Sequence, residues 1–228
     1  MLIKDWMAKD VMTVDENTSL MRATRIMKEK SIRRLPVVSH GKLIGIITDR
    51  DVKDASPSKT TSLDIHELYY LLSEMKVKDV MTDDPLTLSG KETLEKAALI
   101  MLNSRISGLP VVDDKGVLIG LLSETDVLRG FIHMTGIKDN ALQYVFDLPD
   151  EPGTVTRVVG VLKKRECRII SILTSFEDAA QGKKRVAIRI AALDDDQEKA
   201  LTVDLQKQFD IVFSGRDDLS NLPDKKNR

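Results

Sequence analysis

The sequence is poor in cysteine and in aromatic residues, and both shortages narrow the classes of protein that it can encode. Its 228 residues include one cysteine, Cys167, and 4% aromatic residues. A lone cysteine cannot form an internal disulfide or supply a cysteine-bound cluster. We interpret Cys167 as a small packed residue rather than as a nucleophile. The hydrophobic content of 42% is nevertheless ample for packed cores, in roughly one to three domains.

Long apolar runs and blocks of one charge sign are also missing. Lysine and arginine number 35 against 36 for aspartate and glutamate, and neither sign is gathered into a block, which argues against nucleic acid as a partner. No apolar run approaches the roughly 20 residues that span a bilayer, and Met1–Asp5 lacks the apolar core of a secretory signal. We therefore predict a cytoplasmic protein that contacts neither nucleic acid nor a membrane.

The sequence lacks the motifs of common catalytic sites. It has no Gly-x-x-x-x-Gly-Lys-Ser/Thr loop, no Gly-x-Ser-x-Gly elbow and no His-Glu-x-x-His pair. The histidines His40, His66 and His133 are far apart in the sequence and fit surface or packing positions better than metal ligation. We predict no catalytic site, no metal site and no required cofactor.

What the sequence does have is an internal repeat. The segment Ile3–Met7 returns as Val77–Met81, 74 positions later. One inserted residue in a turn then raises the shift to 75, which places Gly45 on Gly120. Two copies in register indicate one folding unit used twice, so a site in one copy has a counterpart in the other.

The pattern within each copy predicts the order β-α-β-β-α. In the first copy, an extended segment at Val11–Val14 precedes an amphipathic helix. Two strands follow at Leu35–Val38 and Leu43–Ile47, and a second helix opens at Thr48. A turn-rich connection then leads to a helix over 63–75. The apolar stripes of the first helices consist of Leu20, Ala23, Thr24 and Met27 in one copy and Leu94, Ala97, Ala98 and Met101 in the other.

From about Ile137 the repeat ends and the order β-α-β-β-α-β begins. Alternating apolar residues from Leu142 to Leu148 predict a half-buried strand, and Pro149–Gly153 turns the chain into a helix. This order predicts a ferredoxin-like layer of helices over an antiparallel sheet, and the whole chain is predicted to be α+β. The predicted segments are the first copy at 1–54, a connection at 55–76, the second copy at 77–135, a linker at 136–139, a C-terminal domain at 140–215 and a flexible tail at 216–228.

The most informative spacing is a hydroxyl residue followed three positions later by a carboxylate at the start of a helix. Thr48 and Asp51 form this pair in the first copy, and Ser123 and Asp126 form it in the second. The pattern is typical of a capping box, which satisfies free amides of the first helical turn. A helix N-terminus also attracts phosphate, and a carboxylate one turn in can accept both hydroxyls of a ribose. The two roles can coexist.

The repeated pattern closely resembles a tandem pair of CBS domains. Over residues 1–133, each copy opens on Asp-x-Met, continues through Leu-Pro-Val-Val and ends on Gly-h-h-Thr/Ser-x-x-Asp, where h is hydrophobic. The resemblance implies two motifs packed as a pseudo-two-fold pair, with two clefts for an adenosyl ligand such as AMP, ADP or ATP. In such clefts the carboxylates take the ribose and the hydroxyls take the phosphate. The nucleotide-binding residues implied are Thr13, Arg34, Pro36, Thr48, Asp51, Thr87, Ser107, Pro110, Ser123 and Asp126.

The two clefts are expected to differ in charge. Arg33 and Arg34 precede Leu35 in the first copy, where Ser107 and Gly108 stand in the second. Solvated surface arginines are one interpretation of this pair, and contact with phosphate is the other. On the second interpretation, the cleft of the first copy accepts more phosphate charge.

The C-terminal segment resembles an ACT domain. Asp150, Glu151 and Gly153 match the turn in which that family often binds a small amino acid between subunits, so they are candidate amino-acid ligands. Glu166 and Cys167 stand in a stretch where the family tends to have glycine and asparagine. A purely dimerising role for this domain is therefore at least as well supported.

The arrangement CBS-CBS-ACT is similar to the AcuB-like family of acetoin-utilisation accessory proteins, which implies a regulatory role. We therefore expect a sensor of adenine nucleotides that forms a homodimer or higher homo-oligomer and acts on a metabolic enzyme. The alternative is a non-catalytic dimerisation scaffold without a physiological nucleotide ligand.

Overall fold

The computed structural model describes residues 1–56, 65–177 and 179–222, which form a mixed fold of helices and strands. The chain divides into two compact units, Met1–Gly130 and Phe131–Arg228. Among the described residues, no helix has the length and apolar character that crossing a membrane requires. The first unit contains the first copy of the sequence repeat and all of the second except the end of its last helix.

The first copy forms an antiparallel hairpin between two helices. Its elements are α1 at Leu20–Glu29, β1 at Arg34–Ser39, β2 at Lys42–Thr48 and α2 at Asp49–Ala55. The hairpin turns at His40 and Gly41, which take φ values of 50° and 79°. Both strands extend one residue beyond the predicted ends on each side.

The second copy repeats this arrangement and adds two short strands. The helix α3 at Ile65–Glu74 precedes it. Its own elements are β3 at Thr82–Asp83, β4 at Leu88–Ser89, α4 at Leu94–Ser104, β5 at Gly108–Val112, β6 at Leu118–Ser123 and α5 at Glu124–Thr135. The strands of the first unit form two sheets, in the orders β1-β2-β3 and β4-β5-β6.

The apolar stripe predicted for the first helix of each copy faces the core. In α1, Leu20, Ala23 and Met27 are 0%, 0% and 5% exposed, and the three equivalent residues of α4 have the same exposed fractions. The α1 residues pack with Leu35 and Ile47 of the hairpin in one hydrophobic cluster. Equal burial at equivalent positions shows that the sequence repeat is also a structural repeat.

The two copies exchange their N-terminal segments. The amide of Ile3 donates to the carbonyl of Glu92 at 2.9 Å, and the equivalent amide of Val77 donates to the carbonyl of Thr18 at 2.8 Å. Strand β3 of the second copy pairs with β2 of the first, and the stretch before α1 forms a bridge to β6 in return. Each copy is therefore completed by residues of the other.

The sequence predicts extended segments at Val11–Val14 and, in the second copy, at Pro85–Leu88, and both form less strand than expected. Strand β4 begins only at Leu88, and Val14 makes a single parallel bridge with Val37. The earlier residues of both segments line two clefts instead of pairing along a strand. Most of the predicted turn-rich connection, residues 57–62, lies outside the described residues, as do the first two residues of the predicted helix over 63–75.

The second unit packs two helices on a four-stranded antiparallel sheet. Its elements are β7 at Leu142–Pro149, α6 at Thr154–Lys164, β8 at Ile169–Ser175, β9 at Lys183–Ile190, α7 at Asp195–Gln206 and β10 at Ile211–Gly215. The strand order is β10-β7-β9-β8. Leu142, Tyr144, Phe146 and Leu148 are at most 2% exposed and pack with residues of both helices. The alternation predicted for this strand is thus confirmed.

Element ends in the second unit differ by a few residues from the predicted ends. The apolar pattern predicts a strand over Arg185–Ala192, whereas β9 begins at Lys183, because Lys183 and Lys184 continue the pairing with β7 as far as Pro149. The pattern predicts that the last helix ends at Gln208, and it ends at Gln206. Backbone pairing and helix fraying leave little trace in apolar periodicity, which explains these shifts.

Candidate functional site

A cleft of 850 Å³ lies beside the hydroxyl and carboxylate pair of the first copy, and we refer to it as the first cleft. It is lined by residues within 48–54, 82–86 and 104–108, together with Arg33, Arg34, Ile46 and Pro110. A second cleft of 310 Å³ lies beside the equivalent pair of the second copy. It is lined by residues within 8–12, 31–34 and 121–126, together with Ser107. Small-molecule sites commonly measure about 300–1,000 Å³.

Each cleft combines segments of both copies. The hydroxyl and carboxylate pair of one copy faces the segment before β1 or β5 of the other copy, and every residue that lines the second cleft has its repeat counterpart among the residues that line the first. Arg33 and Arg34 line both clefts, and the residues at their repeat positions are Ser107 and Gly108. The two arginines therefore line the cleft of the first copy, where the sequence places them, and also line the second cleft, which the sequence did not predict.

The side chains of Thr48 and Asp51 form a capping box at the start of α2. Asp51 Oδ2 accepts hydrogen bonds from the amide and from the hydroxyl of Thr48, each at 2.7 Å. The amide of Asp51 donates back to Thr48 Oγ1 at 3.3 Å. The other oxygen, Oδ1, has no partner among the described residues. A ligand can reach Oδ1 without breaking the cap, whereas the hydroxyl proton of Thr48 is already engaged.

The equivalent pair in the second cleft has both carboxylate oxygens engaged. Asp126 Oδ2 accepts from the amide of Ser123 at 3.0 Å and from its hydroxyl at 2.5 Å. Asp126 Oδ1 accepts from Arg129 Nη1 at 2.7 Å. The repeat position of Arg129 in the first copy is Asp54, so the first cleft lacks this ion pair. A ribose that reaches Oδ1 of Asp126 must therefore share this oxygen with Arg129 or displace the Arg129 side chain.

The clefts differ in charge as well as in size. The first cleft is lined by the basic residues Arg33, Arg34, Arg50, Lys53 and Arg105 and by the acidic residues Asp49, Asp51, Asp54 and Asp84. The second cleft is lined by the basic residues Arg33 and Arg34 and by the acidic residues Asp10, Glu124 and Asp126. Within the first cleft, Lys53 Nζ lies 3.0 Å from Asp49 Oδ2, and its hydrogen bond lowers the pKa of Asp49. The balance of lining charge is therefore positive only in the first cleft.

Arg34 lies between the two clefts and contacts the second copy. Its Nη2 donates to Ser107 Oγ at 2.6 Å, and its Nη1 donates to the Ser107 carbonyl. That carbonyl also accepts from the amide of Glu124, the first residue of α5. Burial is the main cause that lowers the pKa of Arg34, and the nearby Arg33 adds to it, while acidic side chains of both clefts oppose the shift.

The structure brings seven of the ten predicted nucleotide-binding residues to the clefts, namely Arg34, Thr48, Asp51, Ser107, Pro110, Ser123 and Asp126. Thr13, Pro36 and Thr87 line neither cleft. Pro36 lies inside β1, where its carbonyl accepts from the amide of Val14 at 3.1 Å. These three assignments came from the resemblance alone and stay predictions.

Several cleft residues were not predicted from the sequence, and Arg105 is the clearest case. It follows α4 with a φ of 53°, and its repeat position, Ser31, follows α1 with the same φ. A left-handed residue after a helix turns the chain toward the next strand, which places both residues in the clefts. In the sequence, the position of Arg105 could have been recognised as a helix end, because the apolar stripe of α4 stops shortly before it.

The turn predicted to bind an amino acid in the second unit is held by local contacts. Asp150 Oδ1 lies 3.3 Å from Lys184 Nζ, and the Thr154 hydroxyl donates to the Glu151 carbonyl at 3.1 Å. Gly153 has a φ of 83°, which favours glycine. No described atom lies within 4 Å of the position of a β-carbon on Gly153. The glycine is therefore explained by backbone conformation rather than by close approach of a neighbour within the described chain.

The described residues offer neither a cluster of metal ligands nor a reactive thiol. Within them, no three histidine, cysteine, aspartate or glutamate side chains are grouped to hold a metal ion. Cys167 packs partly buried against the core of the second unit, and burial raises the pKa of its thiol. A raised pKa lowers the thiolate fraction at neutral pH, which fits the interpretation of Cys167 as a packed residue.

The first unit is similar to known proteins with the same duplicated motif. The family model for the CBS domain matches residues 3–58 and 77–133. A CBS domain-containing protein of Dictyostelium discoideum is 37% identical over 56% of this chain and 88% of that protein. Enzymes also occur among the curated relatives, but the chain spans only 22 to 25% of their length.

Two solved structures share this similarity. An acetoin utilization protein (AcuB) from Vibrio cholerae matches with a TM-score of 0.50 and 26% identity, over 60% of this chain and 95% of that chain. The protein CBSX2 from Arabidopsis thaliana, solved in complex with AMP, matches with a TM-score of 0.48 and 32% identity, over 57% of this chain and 96% of that chain. The duplicated motif, its two clefts and the Dictyostelium relative lead to one conclusion: the chain belongs to the family of CBS domain-containing proteins.

Proposed function

We propose that the first unit binds an adenine nucleotide, AMP, ADP or ATP, and serves as its sensor. The observation that carries the proposal is the free Oδ1 of Asp51 in a cleft that also presents five basic side chains. A carboxylate oxygen accepts hydrogen bonds from ribose hydroxyls, and guanidinium and ammonium groups pair with phosphate. The first cleft therefore offers both partners that a nucleotide requires.

The first cleft also has an apolar part for a base. Ile46, Leu86, Ile106 and Pro110 are among its lining residues. An aromatic base gains free energy when it leaves water for such a surface. The volume of 850 Å³ lies within the common range of about 300–1,000 Å³ for small-molecule sites.

A regulatory role follows from the way in which both copies form each cleft. A ligand that contacts the two copies together favours the arrangement in which they are paired, and it shifts any equilibrium between arrangements by its difference in affinity. The resemblance to AcuB-like accessory proteins, with which the Vibrio cholerae match agrees, implies regulation rather than catalysis. We propose a metabolic enzyme as the partner that responds and the cytoplasm as the location.

Thermal unfolding with added AMP, ADP and ATP tests the proposal. Ligand at about 100 times its dissociation constant should raise the unfolding free energy by about 2.7 kcal/mol. Asp51→Ala should abolish the part of this gain that comes from the first cleft. Asp79→Ala is the matched control, because Asp79 caps a short helical turn through the amide of Lys76 at 2.8 Å and lines neither cleft. If no adenine nucleotide stabilises the wild type, the nucleotide function is wrong.

A second candidate function is a dimerisation scaffold, and one observation favours it. Leu99 and Leu102 on α4 are 59% and 73% exposed. At the repeat positions on α1 stand Arg25 and Lys28, which are also exposed. The basic residues on α1 are compatible with exposure to water. The exposed leucines on α4 are better explained by burial against a second chain of this protein. We propose a homodimer that uses this face of α4.

Sedimentation velocity tests the dimer. Leu99→Arg with Leu102→Lys transfers the residues of α1 to α4 and should convert dimers to monomers. Arg25→Gln with Lys28→Gln is the matched control and should leave the association unchanged. A wild type that is monomeric at every protein concentration would contradict this candidate.

We also propose that the second unit is a ferredoxin-like ACT domain. Its element order and the left-handed Gly153 support the assignment. So does Glu166, which has a φ of 55° in the stretch where glycine is usual in that family. Isothermal titration with serine and leucine, compared between wild type and Asp150→Ala, tests whether the turn binds an amino acid. Absence of heat with both amino acids would leave dimerisation as the role of this unit.

A further inference from the structure

The two clefts share their basic residues unequally. Arg33 and Arg34 are the basic residues among those that line the second cleft, and both also line the first. The first cleft has Arg50, Lys53 and Arg105 in addition. A phosphate in the second cleft therefore depends on side chains that a phosphate in the first cleft can also attract.

Arg34 is the better placed of the two shared residues. Its guanidinium is held on the second copy by Ser107, through the side-chain hydroxyl and the carbonyl. The acidic side chains that act on its charge are Asp49 from the first cleft and Glu124 and Asp126 from the second. Arg34 therefore lies in the electrostatic field of both clefts at once.

We propose that Arg34 couples the two clefts, so that an anionic nucleotide in the first cleft weakens the binding of an anionic nucleotide in the second. The inference rests on the proposed nucleotide function and adds its regulation. One guanidinium carries one positive charge, and a phosphate that pairs with it reduces the attraction left for another phosphate. The repulsion between the two phosphates adds to this effect.

The coupling has a direction because the clefts differ. The first cleft is larger, has a positive balance of lining charge and offers a free carboxylate oxygen, so it fills first. The second cleft then meets its ligand with Arg34 already engaged. Adenosine carries no phosphate to pair with Arg34, so it should fill the two clefts independently.

Methyl NMR on the full chain can follow each cleft separately. Ile106 lines only the first cleft, and Ile32, at the equivalent position of the repeat, lines only the second. Titration with AMP and with adenosine yields a dissociation constant for each cleft from these two methyl signals. Asp51→Ala disables the first cleft, which the Ile106 signal verifies. The same pair of titrations is repeated in an Arg34→Gln background.

With the first cleft disabled, the second cleft should bind AMP at least about fivefold more tightly than in the wild type, within the usual range of coupling between sites. Adenosine should show no such gain, and Arg34→Gln should remove the gain for AMP. An unchanged affinity of the second cleft for AMP, or a gain that persists in Arg34→Gln, overturns the coupling while leaving the nucleotide function intact. If Arg34→Gln does not fold, the coupling is tested by Asp51→Ala alone: it requires a gain in affinity of the second cleft for AMP and none for adenosine. Failure of both ligands to shift either methyl signal overturns the nucleotide function and the coupling with it.

Discussion

The guanidinium of Arg34 occupies the space in which a β-carbon on Gly108 would lie, with Nη1 1.6 Å from that position. The two residues occupy the same position of the repeat in its two copies. An arginine at both positions could not adopt this arrangement, because each side chain would need the space of the other. The duplicated unit has therefore diverged in a complementary way, with a long charged side chain on one copy and none on the other.

We expect Gly108→Ala to displace Arg34 from Ser107. The new methyl group meets the far end of a flexible side chain, so the cost is the lost charge-assisted hydrogen bonds, about 1 to 2 kcal/mol of unfolding free energy. In an Arg34→Ala background the same substitution should cost far less. Urea unfolding of the two single variants and the double variant measures this coupling. Equal costs in both backgrounds would mean that Arg34 does not occupy this space in solution.

Arg129→Ala should strengthen ligand binding in the second cleft. The substitution frees Asp126 Oδ1, which accepts from Arg129 at 2.7 Å, and makes this carboxylate resemble that of Asp51. Because the Arg129 side chain is 58% exposed, its ion pair adds little to stability. Titration with adenosine, followed at the Ile32 methyl group, measures the effect. Arg25→Ala, which removes an exposed helical ion pair with Glu29 away from both clefts, is the control. Weaker binding in Arg129→Ala would show that Arg129 itself assists the ligand.

Much of the local structure could be predicted because the repeat and the apolar periodicity report burial directly. Leu20, Ala23 and Met27 are buried as predicted, and the capping boxes at Thr48 and Ser123 form with the expected partners. These features depend on residues within a few positions of one another. A short stretch of sequence is therefore enough to predict them.

The composition of the clefts could not be predicted in the same way, because it depends on the exchange of segments between copies. Sequence reasoning placed Arg34 with Asp51, its neighbour in the same copy. Arg34 does line the first cleft with Asp51, but it also donates to Ser107 of the second copy and lines the second cleft. A single sequence does not show which copy completes which cleft, and the role of Arg105 was hidden for the same reason.

Gly120→Ala should destabilise the first unit. A β-carbon on Gly120 would lie 2.3 Å from Met7 Sδ and 3.0 Å from the Ala8 carbonyl oxygen. Overpacking of this kind costs about 1 to 3 kcal/mol. Gly160→Ala is the matched control, since Gly160 lies inside α6 and no described atom beyond its own stretch of helix comes within 4 Å of its β-carbon position. It should stabilise the second unit by about 0.5 to 1 kcal/mol. Urea unfolding of both variants would refute this account if the two changes had the same sign.

Tyr144 should make the second unit sensitive to alkaline pH. Its side chain is fully buried, and its hydroxyl donates to Thr202 Oγ1 at 2.7 Å, because the Thr202 hydroxyl itself donates to the Glu198 carbonyl. Burial is the main cause that raises the pKa of Tyr144. A raised pKa in the folded state means that stability is fully present below the unfolded pKa of about 10 and is lost as pH rises through the folded pKa.

Unfolding free energies measured from about pH 8 to pH 11 for wild type and Tyr144→Phe test this behaviour. At the low end, the variant should be less stable by about 1 kcal/mol, the usual contribution of one hydrogen bond. Toward the high end of this pH range, the wild type should lose stability faster than Tyr144→Phe, so the two curves converge. Tyr70 is 66% exposed, and Tyr70→Phe should follow the wild-type curve throughout. Parallel curves for wild type and Tyr144→Phe would mean that Tyr144 titrates in the folded chain as it does in water, and hence that its hydroxyl is not buried in the core.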